Sequence, residues 1–179
     1  MKCHPHRTPL NLIESISNSC NAYFCNVYRA IIEKYPNTYE GYNVWRNYVT
    51  SFGLGNWLNN DLPTGQKGFV PTQKFYDRIY GKNRWKSLTN LSLSIGQDAL
   101  LTTPIQMANM TAAIANRGYY FTPHIVKSID NDSIDSRFTK PIYTMVDSSL
   151  FEIVIKGMQE VVEDEELGTS NIAKMDDIT

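Results

Sequence analysis

The chain lacks several features that would assign it to a simple functional class. No run of about 18 apolar residues is present, so the sequence predicts no membrane-spanning helix, and it has no signal-peptide pattern. Its 17 Lys and Arg against 18 Asp and Glu give a net charge of −1, which argues against a basic nucleic-acid-binding surface. Three cysteines are too few for a disulfide framework.

What the chain does contain is typical of one soluble globular domain. Its 179 residues are 42% apolar and 20% charged, which is enough for a hydrophobic core. Eleven Tyr, seven Phe and three Trp predict that aromatic packing forms much of that core. The abrupt first residues, MKCHPH, and the uncapped last residues, MDDIT, lead us to expect a fragment of a longer protein.

Apolar residues at helical spacing dominate the sequence and predict a mainly α fold with at most a few short strands. Thr8-Pro9 and Thr103-Pro104 each predict an N-cap followed by proline at the first helical position. Ser149 and Glu152 have the spacing of a capping box. The predicted helices cover about residues 9–16, 24–32, 39–52, 103–117 and 149–163.

The helix over 103–117 is apolar over so much of its surface that we expect it to be buried, and we expect the last helix to bury one face. The first has apolar stripes formed by Ile105, Ala108, Ala112 and Ala115 and by Met107, Met110 and Ile114. The second has Leu150, Val154, Met158 and Val162, with Phe151, Ile155 and Val161. Residues 53–90, rich in Gly, Asn and Pro, predict an ordered loop with at most short strands or turns, and residues 119–129 predict an extended segment.

Polar residues 17–21, with the sequence SNSCN, separate the first two apolar stripes. Ser and Asn both cap helices, so Ser19-Cys20-Asn21 taken alone is typical of a joint between two helices. The alternative is that the same residues form part of a catalytic apparatus. On local sequence alone we favour the joint between two helices.

Cys3, His4 and His6 are candidate metal ligands near the start of the chain. Their spacing is tighter than that of the usual zinc pairs and no second ligand pair follows, so we favour a turn around Pro5 and assign no metal and no cofactor. Cys20 and Cys25 lie five residues apart near one helix start, where a disulfide would be strained.

Four segments in order resemble class B penicillin-binding proteins. The stretch that leads to their S-x-N motif is similar to CHPHRTPLNLIESISNSCNAYF, and their glycine-rich segment to FGLGNWLNNDLPTGQKGFVPT. The SIGQ segment with its following helix is similar to LSIGQDALLTTPIQMANMTAAIANRGYYFTPHIVKSI, and the approach to the last active-site strand to GMQEVVEDEELGTSNIAK. The DLP and SIGQ versions most resemble the elongation-type group, penicillin-binding protein 2, and the likeness covers nearly the whole chain.

This resemblance implies a serine-type D,D-transpeptidase of peptidoglycan synthesis. In such enzymes the serine of an S-x-x-K motif attacks the D-alanyl-D-alanine end of a peptidoglycan stem peptide, and the acyl group passes to an amine on a neighbouring strand. β-Lactams acylate the same serine. The resemblance also implies a parent fold that joins a helical part to a five-stranded sheet, an inner-membrane anchor with a periplasmic catalytic domain, and partner proteins in cell-wall elongation.

Two of the three catalytic motifs of that family are missing from the chain. No S-x-x-K occurs, since Ser170 and Lys174 are four residues apart, and no K-T-G occurs. We therefore expect residues 1–179 to be a partial transpeptidase domain, with the S-x-x-K segment upstream and the K-T-G strand downstream. Alone, this soluble fragment is expected to be inactive, and its uncovered apolar surface should favour self-association.

Within the chain the resemblance assigns catalytic roles to Ser19 and Asn21. Ser19 would relay a proton, and Asn21 would hold the nucleophile's lysine and a substrate amide, while Cys20 would point into the packing. Residues two apart diverge by about 200° on a helix, so a joint role requires a helix break between residues 18 and 22. Gln97 lies either near the cleft rim, as a substrate-binding residue, or in a turn before the 103–117 helix.

Two non-catalytic interpretations compete with the enzyme. One is a helical interaction or scaffold module, and the other is a helical domain with a metal at Cys3, His4 and His6. An active site needs a polar loop between two buried stripes, whereas a scaffold does not. Asp61 and the acidic residues 163–166 have no paired carboxylate in a buried stripe, so we assign them no catalytic role.

Overall fold

Six α-helices and one short pair of strands form the regular structure of the described residues, 3–130 and 133–175, in the computed structural model. The helices are α1 (Leu12–Ser17), α2 (Asn21–Glu33), α3 (Thr38–Ser51), α4 (Gln73–Tyr80), α5 (Pro104–Ala115) and α6 (Phe151–Glu163). Strands β1 (Tyr119–Tyr120) and β2 (Ile142–Tyr143) pair antiparallel, with Tyr119 opposite Tyr143. Short 3-10 helices cover Leu91–Ile95, Ser136–Phe138, Ser148–Leu150 and Asn171–Ala173. The predicted mainly α fold is confirmed.

The helix starts follow from side chains that accept the free N–H groups of the first turn. Thr103 and Gln106 form the capping box of α5, with Pro104 at the first helical position as predicted. The predicted start at Thr8-Pro9 was wrong, because Asn11 and Glu14 exchange both capping bonds and α1 begins at Leu12. Among the described helices, none combines the length and apolarity needed to cross a bilayer.

Two boundaries in the second half of the chain also differ from prediction. Residues 53–90 contain α4, capped by the Thr72 side chain, where only strands or turns were expected. The capping box predicted for Ser149 and Glu152 is absent, since the Asp147 carboxylate accepts the Ser149 N–H and α6 begins at Phe151 after a 3-10 turn. Helix α6 ends at Glu163, at the acidic run, as predicted.

An aromatic cluster forms the main core, as the composition predicted. The Tyr42 ring of α3 lies 5.3 Å from Trp85 and 5.7 Å from Tyr76 of α4, both in edge-to-face geometry. Such aromatic pairs contribute roughly 0.5–1.5 kcal/mol each beyond the area they bury. The cluster comprises Tyr28, Ile32, Tyr42, Tyr76, Trp85 and Leu93.

Helix α1 packs against α6, and this contact positions the chain just before the S-x-N residues. Gly157 permits the close approach, because a Cβ there would stand 2.7 Å from Cδ1 of Ile16. The Ser17 hydroxyl donates to the Glu160 carbonyl, 3.1 Å away. The end of α1 is therefore tied to the last long helix.

The buried face of α5 carries two amide side chains and one alanine, which corrects the prediction that its apolar stripes are buried. Gln106, Asn109 and Ala113 face inward, whereas Met107 is 44% exposed. The physical reason is that the loop after α3 leaves carbonyls without partners, and the two buried amides donate to them. Of the face predicted to be buried in the last helix, Leu150 is 57% exposed and Met158 is 40% exposed, so that prediction is only partly correct.

Candidate active site around Ser19 and Asn21

The S-x-N residues lie where one helix stops and the next begins. Asn18 caps α1 through its backbone N–H and also donates its side-chain amide to the Glu14 carbonyl, 3.0 Å away. Ser19 has a left-handed φ of 49°, Cys20 is extended, and Asn21 is the first residue of α2. The predicted helix break is confirmed at residues 18–20, with Asn21 itself already helical.

Ser19 is exposed although both of its neighbours are buried. Its Oγ lies 3.3 Å from Oγ1 of Thr169, in the segment that follows α6. Thr169 is held in turn by Ser17, whose carbonyl accepts both the Thr169 N–H and hydroxyl at 3.2 Å. A non-glycine residue at positive φ costs of order 1–3 kcal/mol and is typical of functional sites. Sequence reasoning missed Thr169, because no local pattern links residues so distant.

Asn21 and Gln97 lie on elements that contact each other. Asn21 is partly buried at the start of α2, and the 3-10 helix Leu91–Ile95 packs against α2. Gly96, at φ 73°, ends that 3-10 helix, and the exposed Gln97 donates its N–H to the Ser92 carbonyl at 3.0 Å. Gln97 therefore lies in a turn, and its contact with a substrate stays a prediction.

Three side chains with metal-ligand chemistry meet beside this junction. The sulfurs of Cys3 and Cys20 are 3.8 Å apart, and one imidazole nitrogen of His6 lies within 4.8 Å of both. His6 Nδ1 donates to the Arg7 carbonyl at 2.8 Å, while Nε2 is buried without a partner among the described residues. The sequence offered Cys3, His4 and His6 as candidate ligands and we assigned no metal to them; the structure instead brings Cys3 and His6 together with Cys20, which no local pattern indicated.

The pKa values of the Cys3 and Cys20 thiols are shifted in opposite directions. The Ala22 N–H donates to Cys3 Sγ at 3.1 Å and lowers the pKa of Cys3, with His6 adding to the effect. Burial raises the pKa of Cys20, whose Sγ accepts the Tyr23 N–H at 3.4 Å as the cap of α2. Two sulfurs and one imidazole nitrogen are donors suited to a cation such as Zn²⁺.

The carboxylates that were given no catalytic role have structural partners. Asp61 accepts the N–H groups of Ile125 and Val126, which lowers its pKa. Asp164 accepts the N–H groups of Glu166 and Leu167 just after α6. Asp61 therefore fixes the backbone at Ile125 and Val126, and Asp164 fixes the turn that follows α6.

Comparison with known proteins gives a consistent family. A family model described as penicillin binding protein transpeptidase domain matches residues 2–176. The peptidoglycan D,D-transpeptidase MrdA of Acinetobacter baumannii is 29% identical over 119 residues, which are 66% of this chain and 16% of that protein. The chain spans between 16% and 22% of the length of the MrdA relatives from Acinetobacter baumannii and Haemophilus influenzae.

Solved structures agree with this match. Pseudomonas aeruginosa PBP2, crystallised in complex with WCK 5153, is 27% identical with a TM-score of 0.72, over 91% of this chain and 34% of that one. Helicobacter pylori PBP2 in its complex with MreC is 25% identical with a TM-score of 0.65, over 87% of this chain and 26% of that one.

Proposed function

The chain belongs to the penicillin-binding protein transpeptidase family, with PBP2-type relatives, and we propose that it supplies the S-x-N part of a serine D,D-transpeptidase site. The substrate would be the peptidoglycan stem peptide, and β-lactams would acylate the same site. The observation that carries the proposal is the exposed Ser19 hydroxyl, held at a helix break beside Asn21 and Thr169.

Ser19 is suited to pass a proton because a hydroxyl donates and accepts at once. In the proposed reaction, the acylating serine of an S-x-x-K motif loses its proton and the departing D-alanine amine gains one. Ser19 would lie on that proton's route and return to its hydroxyl form after each transfer. Asn21 would contribute an amide donor and acceptor for the motif's lysine and for a substrate amide.

Thr169 is a positioning residue in this scheme. Its hydroxyl donates to the Ser17 carbonyl, so its oxygen is free to accept from Ser19. That bond would orient the Ser19 hydroxyl at rest. During transfer the Ser19 oxygen would accept the incoming proton while its own proton turns from Thr169 to the departing amine. The segment after α6 thereby becomes one wall of the proposed site.

The chain alone is proposed to be inactive, since S-x-x-K and K-T-G do not occur in it. The test is labelling by a fluorescent penicillin, run on this chain and on a longer polypeptide that includes both motifs. We expect labelling of the longer polypeptide alone, and slower labelling when it carries Ser19→Ala or Asn21→Ala. A folded longer polypeptide that takes no label, or equal labelling of both substituted forms and the parent, would contradict the proposal.

In its full-length context the protein is proposed to work with other cell-wall elongation proteins. The support is the PBP2 relative solved with MreC. An inner-membrane anchor and a periplasmic catalytic domain belong to the same proposal and derive from the family resemblance.

A further inference from the structure

A cavity separate from the S-x-N junction lies between the loop after α3 and the start of α5. Its cavity measures about 330 Å³, at the low end of the roughly 300–1,000 Å³ range of small-ligand pockets. Apolar walls come from Trp57, Leu62 and Ile105, and polar groups from Asn60, Thr64 and Gln66. Charged side chains are absent from the described lining.

Buried hydrogen bonds hold the loop that forms this cavity in place. The Gln106 amide, 1% exposed, donates to the carbonyls of Asn56 at 2.9 Å and Lys67 at 2.8 Å. Phe69 and Leu101 exchange backbone hydrogen bonds at the loop's end. A long irregular loop with buried anchors presents a preformed surface, so a ligand need not order it on binding.

Trp57 is the prominent side chain of the cavity. It is 42% exposed, and Gly65 lies against its six-membered ring, where a Cβ would stand 3.1 Å from Cη2. An exposed indole beside hydroxyl and amide groups offers a flat apolar face next to hydrogen-bonding groups. A pyranose ring has the complementary form, with an apolar C–H face and a rim of hydroxyl and acetamido groups.

From these features we infer that the cavity binds an uncharged N-acetylated sugar residue of a glycan strand. Trp57 stacks on the sugar ring, and Asn60 and Gln66 bond its hydroxyl or acetamido groups. A stem peptide fits less well, because its carboxylates and amine would face a lining with no charge to pair with them. The inference rests on the proposed function only for the source of the sugar, a peptidoglycan strand.

The test titrates the N-acetylglucosamine tetramer into the chain and follows binding by calorimetry and by tryptophan fluorescence. We expect saturable binding that Trp57→Ala weakens by about tenfold or more. Gly65→Ala places a methyl group against the indole without backbone strain and is also expected to weaken binding. Tyr143→Ala, which removes a 71%-exposed aromatic ring outside the cavity, serves as the matched control and should bind as the parent does.

Three results would overturn the inference. They are no saturable binding, equal binding by Trp57→Ala and the parent, or Trp57-dependent binding of a sugar-free stem peptide with no binding of the tetramer. Thermal unfolding of each variant establishes that it is folded. Penicillin labelling of the longer polypeptide reports separately on the proposed function, so labelling without tetramer binding rejects this inference alone, and tetramer binding without labelling rejects the transpeptidase proposal alone.

Discussion

The Oγ of Ser19 lies 3.3 Å from Oγ1 of Thr169, although 150 positions separate the two residues. Thr169 is anchored to the Ser17 carbonyl by both its N–H and its hydroxyl. The S-x-N loop and the segment after α6 therefore share one hydrogen-bonded surface. We therefore expect a change at Thr169 to affect Ser19.

Replacing Thr169 with Val in the longer polypeptide should slow acylation by penicillin about threefold to thirtyfold. The side chain keeps its shape but loses the hydroxyl that orients Ser19, and this is a fraction of the ~10²–10⁴ that general acid–base groups contribute. Stopped-flow labelling measures the rate, and Ser170→Ala is the control at the neighbouring position. Equal rates for Thr169→Val and Ser170→Ala would show that Thr169 does not position Ser19.

Local sequence predicted much of the fold and part of the site. Thr103 caps α5 with Pro104 at the first helical position, as expected, because an N-cap signal lies within a few consecutive residues. Thr169 beside Ser19 and Cys20 beside Cys3 could not be predicted in this way, since tertiary packing brings them together. The predicted burial of the apolar stripes of α5 was wrong. Apolar periodicity within one helix does not indicate which carbonyls elsewhere in the chain need a buried side-chain donor.

Gln106→Leu is expected to lower the free energy of unfolding by about 2–4 kcal/mol. The Gln106 amide donates to the carbonyls of Gly53, Asn56 and Lys67, and leucine would leave all three without it. Urea unfolding measures the loss. Faster amide hydrogen exchange in residues 53–67 should accompany it, because the loop loses its anchor.

The matched control for this change is Gln159→Leu. Gln159 is exposed on α6, and its amide donates to Glu163 on the same helix. We expect a change within about 0.5 kcal/mol there. A similar loss of unfolding free energy in both variants would mean that the buried hydrogen bonds of Gln106 do not stabilise the loop.

Asp61 should make a stabilising contribution that disappears in acid. The N–H groups of Val126 and Ile125 lower its pKa in the folded chain, so the carboxylate favours folding above its ordinary pKa of about 3.9. That contribution is lost as the pH falls through the lowered folded-state value. Urea unfolding of the parent and of Asp61→Asn should be measured across pH 2–6. The other carboxylates titrate alike in both proteins, so the difference in unfolding free energy reports on Asp61 alone. We expect that difference to shrink toward the acid end. A difference independent of pH would contradict the assignment.

The Cys3, His6 and Cys20 cluster should bind one Zn²⁺ or Co²⁺ per chain. Two sulfurs and an imidazole nitrogen whose ring N–H already donates to a backbone carbonyl form a suitable donor set. Elemental analysis gives the stoichiometry, and cobalt charge-transfer absorption reports thiolate ligation. Cys3→Ser should abolish the signal and Cys25→Ser should keep it. Less than about 0.1 metal per chain after reconstitution would contradict this prediction.

The chain should self-associate through an apolar groove between α5 and α6. Ile114 of α5 and Ile155, Met158 and Val162 of α6 line it, and its volume is about 760 Å³. An exposed apolar patch of this kind favours pairing in water. Light scattering over a wide concentration range should show a mass that rises from monomer toward dimer.

Met158→Lys should shift this equilibrium toward monomer by about tenfold in Kd, because pairing through the groove would have to remove a charged ammonium group from water. Met145→Lys is the matched control, since Met145 is exposed but lies outside the groove. If both lysine variants weaken association equally, net charge and not the groove governs it. If the parent remains monomeric at every concentration, the exposed face of α5 and α6 is stable in water and the predicted self-association is wrong.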